Sequence, residues 1–207
     1  MKIPITPADT NYLNNFGEAI KFNQSLGLPI PNFTPKPGLV FDKVAISNYV
    51  LHNLYLLSDL QLEDVAQKCF IYSKQLQDFL KERCNINSII TSGCLFENGF
   101  RLFGDEKGNI AERLKSDKVG PPVKFHTWLT LENYDVVDIT YPASLWLDLK
   151  MHNCETSSDE DYKKLVWYSP LPANSEGLCY KPLFLGYDYF ERVKIAFRLG
   201  FLIKQQD

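Results

Sequence analysis

The segment spanning residues 124–140, KFHTWLTLENYDVVDIT, constrains the fold more than any other stretch because its alternation predicts a β-hairpin. The first arm is rich in the β-branched and aromatic side chains that strands favour. Two faces alternate along it, with Phe125, Thr127, Leu129 and Leu131 on one and His126, Trp128 and Thr130 on the other. Polar residues then mark a turn, and an apolar return arm follows. The segment therefore predicts an antiparallel pair of strands.

This hairpin carries a histidine and a carboxylate that can pair. A three-residue loop centred near Glu132 would place His126 and Asp138 directly opposite each other, with Cβ atoms about 4.5–5.5 Å apart. A carboxylate in that position fixes the tautomer and the orientation of an imidazole that acts as a general base. Asp135 has an odd offset and would face away from Asp138. The alternative is a surface hairpin on which the two residues occur by chance.

A candidate nucleophile lies upstream, in residues 60–83, LQLEDVAQKCFIYSKQLQDFLKER. Their apolar spacing predicts one long amphipathic helix, with Cys69 on its buried stripe two turns from the start. Asp64 followed three residues later by Gln67 also fits a capping box, so a helix that begins later is the alternative. A small buried side chain is the other interpretation of Cys69. Cys94, next to Gly93 in a predicted strand, is the rival nucleophile.

The order of these elements resembles that of papain-like and transglutaminase-like cysteine enzymes. Residues 66–96 resemble the nucleophile helix and first strand of that superfamily, and residues 125–140 resemble its H-x-W…D-x-T hairpin. The residues that carry the hairpin motif are His126, Trp128, Asp138 and Thr140. The matched region, residues 62–140, covers about two fifths of the chain. In the superfamily the nucleophile usually occupies the first turn of its helix, from which the single-helix interpretation departs.

The resemblance implies an α+β fold in which a central helix packs on an antiparallel sheet. It also implies a cysteine-dependent hydrolase or acyl transferase that acts on an amide-type bond. Cys69 would be the nucleophile, His126 the general base and acid, and Asp138 the orienting carboxylate. Trp128 would wall the substrate site, although an ordinary core aromatic is the simpler interpretation. A non-catalytic protein-interaction module on the same fold is the alternative function.

Composition limits the classes of protein to which the chain can belong. Its 207 residues are 45% apolar, enough for one domain with a substantial core. A net charge of −3 provides no electrostatic footprint for nucleic acid or an anionic membrane. No apolar run reaches a membrane span and the first residues lack a signal core, so a cytoplasmic protein is expected. A protein or peptide is the expected substrate.

Cysteine and histidine usage predicts no cofactor and no metal. The five cysteines are irregularly spaced and odd in number, which does not resemble a disulfide framework. The sequence contains neither a CxxC pair nor an HExxH motif. The three histidines lie far apart at His52, His126 and His152. Reduced thiols are therefore expected.

The remaining chain predicts flanking elements around a catalytic core at residues 41–140. Residues 1–40 form a proline-punctuated extended arm with a weak helical pattern near Tyr12 and Phe16. Residues 41–57 predict a helix buried on much of its circumference. The polar, glycine-punctuated residues 97–122 predict a strand fragment around Phe100 to Phe103, a turn at Glu106 to Gly108 and an exposed loop. Residues 141–207 predict an acidic loop, short strands at VWYSPL and CYKPLFLGY, and a closing helix over residues 187–201.

Overall fold

The protein has an α+β architecture with seven α-helices in the part of the chain that the structure describes. The structure is a computed structural model and describes residues 11–57, 59–116, 124–156, 158–170 and 177–193, apart from the side chains of residues 56 and 57. The helices are α1 (Tyr12–Ser25), α2 (Lys43–Leu51), α3 (Leu62–Val65), α4 (Cys69–Cys84), α5 (Lys107–Lys115), α6 (Thr140–Met151) and α7 (Asp188–Arg192). A π-helical segment, His52–Leu57, follows α2, and a 3₁₀ turn lies at Asp159–Asp161.

The strands form one six-stranded antiparallel sheet. They are β1 (Ser88–Glu97), β2 (Phe100–Phe103), β3 (His126–Leu131), β4 (Val136–Asp138), β5 (Val166–Tyr168) and β6 (Leu178–Leu185). Neighbouring strands follow the order β2-β1-β3-β4-β5, and β6 also pairs with β1. The expected hairpin, the strand at residues 88–97 and both C-terminal strands are therefore confirmed, and the C-terminal strands belong to the sheet.

Residue contacts group the chain into two compact units. The first contains the described residues of Met1–Asn32, Ser92–Phe125 and Cys179–Asp207. The second contains those of Phe33–Thr91 and His126–Leu178. All three residues of the expected catalytic set, Cys69, His126 and Asp138, therefore belong to the second unit.

Helix α1 and the core of the first unit show why residues 12–25 are not extended. The side chain of Asn11 accepts a hydrogen bond from the Asn14 N–H at 3.0 Å and so caps the helix. Tyr12, Phe16 and Ala19 then bury one face. The helical pattern noted in the sequence is confirmed, and the prediction of an extended arm is wrong over this range.

Two other predictions of local structure are wrong. Helix α2 is not buried on much of its circumference, because Val44 is 71% exposed and Val50 is its one buried residue. The stretch expected to be an exposed loop contains helix α5. The Asp105 carboxylate accepts bonds from the Glu106 N–H and the Asn109 side chain, and Ile110 is fully buried. Ile110 and Leu114 have the spacing of one helix face, but the glycine at position 108 and the polar neighbours favoured a loop in the sequence.

The hairpin differs from the expected geometry by one residue. Leu129 pairs with Val137, and the Leu131 N–H donates to the Asp135 carbonyl at 2.8 Å. The loop is therefore Glu132–Tyr134, three residues centred on Asn133, and Tyr134 adopts a φ of 68°. A residue in this left-handed region is a usual feature of three-residue hairpin loops. Continued by one step, this pairing sets Asp138 opposite Trp128, so the prediction that Asp138 lies directly opposite His126 is wrong.

Strand β3 is held against β1 by a buried pair of hydroxyl groups. The Oγ1 atoms of Thr91 and Thr130 are 2.6 Å apart, and both side chains are fully buried. All six residues of β3 are buried. A buried polar contact therefore joins β1 to β3, the strand that carries His126.

We predict that Thr130→Val lowers the free energy of unfolding by about 1–2 kcal/mol, because it leaves the buried Thr91 hydroxyl with only the long bond to the Ile89 carbonyl at 3.4 Å. The double variant with Thr91→Val should recover most of this loss, since removing both partners of a hydrogen bond is nearly neutral. Urea unfolding of the four proteins in the cycle measures the coupling. Additive losses in the double variant would contradict the assignment.

Candidate active site

The helix that carries the candidate nucleophile begins at Cys69. Residues 62–84 are not one helix, because α3 ends at Val65 and α4 begins four residues later. Ala66 is extended at ψ 138°, and Gln67 adopts a φ of 60°. This turn cannot continue a right-handed helix, and the single-helix prediction is therefore wrong. The alternative of a later start is confirmed, although the Asp64 carboxylate accepts from the Gln61 N–H at the start of α3 instead of capping α4.

The position of Cys69 gives its side chain a distinctive electrostatic environment. As the first residue of a 16-residue helix, it lies where backbone N–H groups have no partner within the helix. The positive end of the helix dipole favours negative charge at this point. Its side chain is half-buried. The half-buried Cys69 side chain therefore lies at the positive end of the α4 dipole.

Helix α4 and strand β3 are joined one turn from the candidate nucleophile. The Ser73 hydroxyl, four residues after Cys69, donates to the Thr127 carbonyl at 3.2 Å. Residues four apart lie on the same face of a helix, so Cys69 and Ser73 both lie on the face of α4 that packs against β3. Thr127 is the neighbour of His126. This bond was not anticipated from the sequence, although the spacing of Ser73 from Cys69 is a signal for it.

His126 and Asp138 form a buried pair. The Nε2 atom of His126 lies 2.6 Å from Oδ2 of Asp138, and the side chains are only 2% and 1% exposed. The carboxylate reaches the ring diagonally across the hairpin, from a position opposite Trp128. Because His126 and Trp128 are two residues apart on one strand, all three side chains share a face of the sheet.

The second oxygen of Asp138 is held by the first turn of helix α6. Oδ1 accepts hydrogen bonds from the Thr140 N–H at 2.9 Å, the Thr140 hydroxyl at 3.1 Å and the Tyr141 N–H at 3.1 Å. The carboxylate therefore satisfies the unpaired N–H groups of a helix start while its other oxygen faces the imidazole. Thr140 thus anchors the acid, a role that the sequence motif did not reveal.

The charges of the site reinforce one another. Burial disfavours the imidazolium of His126, but the Asp138 carboxylate and the Cys69 side chain outweigh this and raise the pKa of His126 to about 10. Burial likewise works against ionisation of Asp138. The imidazole and the N–H groups of Thr140 and Tyr141 outweigh it and lower the pKa of that carboxyl. The arrangement therefore favours an imidazolium beside a carboxylate.

The Cys69 side chain lies close enough to the imidazole to help raise the pKa of His126. Because Nε2 faces Asp138, a proton exchanged between the ring and the sulfur would be carried by Nδ1. The structure thus brings together the three residues expected from the sequence in the order sulfur, imidazole, carboxylate. In this arrangement the imidazole can take the proton of the thiol, while the carboxylate holds the ring in position.

Trp128 packs beside the imidazole. The two rings are 6.3 Å apart between centroids and inclined by 29°, and Trp128 has no exposed surface. Full burial fits a side chain that packs against the histidine. A substrate contact would require the site to open, so the substrate-binding role of Trp128 stays a prediction.

The other cysteines occupy different environments. Cys94 is buried, and burial raises the pKa of its thiol. It belongs to the first unit, whereas His126 belongs to the second. A buried thiol with a raised pKa is a poor nucleophile, which favours Cys69 over its rival. Cys179 is buried, Cys84 is half-buried and Cys154 is exposed.

The described residues contain no cluster of three or more metal-binding side chains of the His, Cys, Asp or Glu type. Among them there is also no helix with the length and apolarity needed to cross a membrane. Comparison of the chain with protein-family models, with curated proteins and with solved structures finds no match. The resemblance to transglutaminase-like and papain-like enzymes therefore stays an inference from the residues.

The buried pair predicts a window of pH dependence. The raised pKa of His126 stabilises the fold fully below its ordinary value of 6.5, and this contribution is lost as the pH rises toward about 10. The lowered pKa of Asp138 stabilises the fold above its ordinary value of 3.8, and that contribution is lost on further acidification. We predict that Asp138→Asn costs about 3–5 kcal/mol near pH 6, because it breaks a buried pair.

Thermal unfolding from pH 3 to pH 10.5 measures this effect. The difference in Tm between the native protein and Asp138→Asn should be largest near pH 4–6.5 and should shrink toward both ends of the range. Asp148→Asn is the matched control, because Asp148 pairs with His152 at 3.5 Å with both side chains exposed. That variant should change Tm little at any pH. A Tm difference for Asp138→Asn that does not vary with pH would contradict the charged pair.

Proposed function

We propose that the protein is a cysteine-dependent hydrolase or acyl transferase that acts on an amide-type bond through Cys69, His126 and Asp138. One observation supports this most strongly. A half-buried cysteine at the start of a helix lies beside a buried imidazole, one nitrogen of which is held by a carboxylate 2.6 Å away. The residue-level resemblance to transglutaminase-like and papain-like enzymes supports the same chemistry. A protein or peptide is the proposed substrate.

The reaction begins with attack by the Cys69 thiolate on the carbonyl carbon of the substrate. A sulfur–carbon bond forms, and the negative charge moves to the carbonyl oxygen. The backbone N–H of Cys69 is in the first turn of α4, where N–H groups lack a helical partner. It is the proposed donor to this oxyanion. The Gln67 N–H is not available for that role, because it donates to the Ser144 hydroxyl at 3.0 Å.

Proton transfer then completes the acylation. The His126 imidazolium gives its Nδ1 proton to the leaving nitrogen as the carbon–nitrogen bond breaks, and an acyl-enzyme with a neutral imidazole remains. Asp138 keeps the ring in place through Nε2 and stabilises its charged form. A water molecule or an amine then gives a proton to Nδ1 and attacks the thioester. The thiolate and the imidazolium are restored.

The burial of the site restricts the direction of approach. His126 is 2% exposed and Trp128 is fully buried, whereas Cys69 is half-buried. A substrate carbonyl group therefore approaches past the half-buried Cys69 and not past the buried rings of His126 and Trp128. Low access of water to the imidazole strengthens the charge interactions in the site.

A second candidate function is supported by the same burial. A site whose histidine has almost no exposed surface can belong to a protein-interaction module that keeps the fold without turnover. In such a module the pair would stabilise the charged form of His126, but no acyl-enzyme would form. Formation of a covalent intermediate separates the two functions.

We predict that Cys69 is the fastest-reacting thiol toward iodoacetamide at pH 6. An ordinary thiol with a pKa of about 8.5 is less than about 1% thiolate at that pH, so its alkylation is slow. Peptide mass spectrometry gives the rate at each cysteine, and the exposed Cys154 is the internal reference. Cys69 should react at least about 10-fold faster than Cys154, and His126→Ala should remove most of this advantage. Cys94→Ala is the matched control and should leave the rate unchanged.

The acyl-enzyme is tested with an activated p-nitrophenyl ester. Rapid quenching and intact-mass measurement should detect one acyl group on the native protein and none on Cys69→Ala. Release of nitrophenolate that is equal in both proteins, with no adduct on residue 69, would reject catalysis by this thiol. Fast alkylation without an adduct would favour the interaction module.

A further inference from the structure

The turn that delivers Cys69 is held by a residue outside the proposed triad. Gln67 adopts a φ of 60°, a left-handed conformation that residues other than glycine rarely occupy. Such a conformation is unfavourable and persists only where the surrounding structure enforces it. The side chain of Gln67 is exposed and gives no packing that would enforce it. The constraint must therefore act on the backbone.

The backbone contact is made by Ser144. Its hydroxyl oxygen accepts a hydrogen bond from the Gln67 N–H at 3.0 Å, and its side chain is only 5% exposed. Gln67 is two residues before Cys69, so the bond acts at the break between α3 and α4. Without the break, the helix would run through Cys69 and the first-turn position of the sulfur would be lost.

Ser144 lies on the helix that also holds the acid. The first turn of α6 donates the Thr140 and Tyr141 N–H groups to Asp138, and Ser144 follows one turn later. One helix therefore contacts both ends of the proposed triad, the carboxylate directly and the nucleophile through the Gln67 turn. A rigid helix fixes the distance between these two attachment points.

We propose that Ser144 is a positioning residue for Cys69, which it holds at the start of α4 by fixing the left-handed turn at Gln67. This inference rests on the proposed function for its chemical meaning. The hydrogen bond itself does not depend on catalysis. Ser144 does not contact the substrate or the reacting atoms in this role.

The expected effect of Ser144→Ala is a loss of at least about 5-fold in the rate of Cys69 alkylation at pH 6, because the turn relaxes and the sulfur leaves its aligned position. Ser144→Thr keeps the hydroxyl and should retain most of the rate. The pH window of stability that Asp138 and His126 produce should remain in Ser144→Ala. A general loss of structure would remove that window as well.

The substitution Gln67→Gly provides the decisive test. Glycine occupies positive φ without the steric penalty that other residues have, so Gln67→Gly should keep the turn without help from the serine. The exposed side chain of Gln67 makes this substitution harmless to packing. The double variant Ser144→Ala with Gln67→Gly should therefore recover the alkylation rate to within about 2-fold of Gln67→Gly alone.

The outcomes separate this inference from the proposed function. Equal Cys69 rates in the native protein and Ser144→Ala would overturn the positioning role, whatever the absolute rate. A Ser144→Ala loss that Gln67→Gly does not restore would overturn it too, because the serine would then act by another route. A native rate that His126→Ala leaves unchanged would count against the triad instead. Amide exchange at residue 67, faster in Ser144→Ala, reports the bond independently of the thiol.

Discussion

The site depends on the carboxylate of Asp138, whose two oxygens bind different elements. One oxygen accepts three hydrogen bonds from the start of α6, and the other lies 2.6 Å from His126. An isolated buried carboxylate would be unfavourable by several kcal/mol, so these bonds permit its burial. These bonds fix the orientation of the Asp138 carboxylate. The carboxylate in turn fixes the orientation of the His126 ring. The orientation of the ring toward Cys69 follows from how α6 begins.

The break before α4 is the second constraint, and it is a backbone property. A helix through residues 62–84 would satisfy more main-chain hydrogen bonds than two helices with a turn between them. Because Ala66 is extended and Gln67 is left-handed, the main-chain hydrogen bonds of a continuous helix are not formed at this point. In return, Cys69 takes a position where N–H groups are free of helical partners, which the proposed chemistry requires. A strained turn beside a reactive group is a known association in proteins.

The sequence predicted the elements around the candidate site better than their geometry. Alternation revealed β3, whereas the set of Cys69, His126 and Asp138 came from the resemblance to a known superfamily and stays a prediction. The hairpin loop was misplaced by one residue because a left-handed tyrosine at position 134 gives no signal of the kind that glycine gives. The helix start was ambiguous because the apolar stripe continues across the break. Ser73 and Ser144 were missed because their roles depend on contacts between distant segments. Thr140 was part of the sequence motif, but its bonds to Asp138 depend on where helix α6 begins.

The second unit has two histidine–aspartate pairs, and the difference in their burial supports the proposed function of the buried pair. His152 and Asp148 pair on the surface, where such a contact contributes little and requires little desolvation. His126 and Asp138 are almost fully buried, and desolvation of both groups offsets most of their attraction. A well-packed apolar pair would stabilise the hairpin as well or better. What an apolar pair could not do is hold a proton between a carboxylate and a sulfur, and only the buried pair has Cys69 beside it.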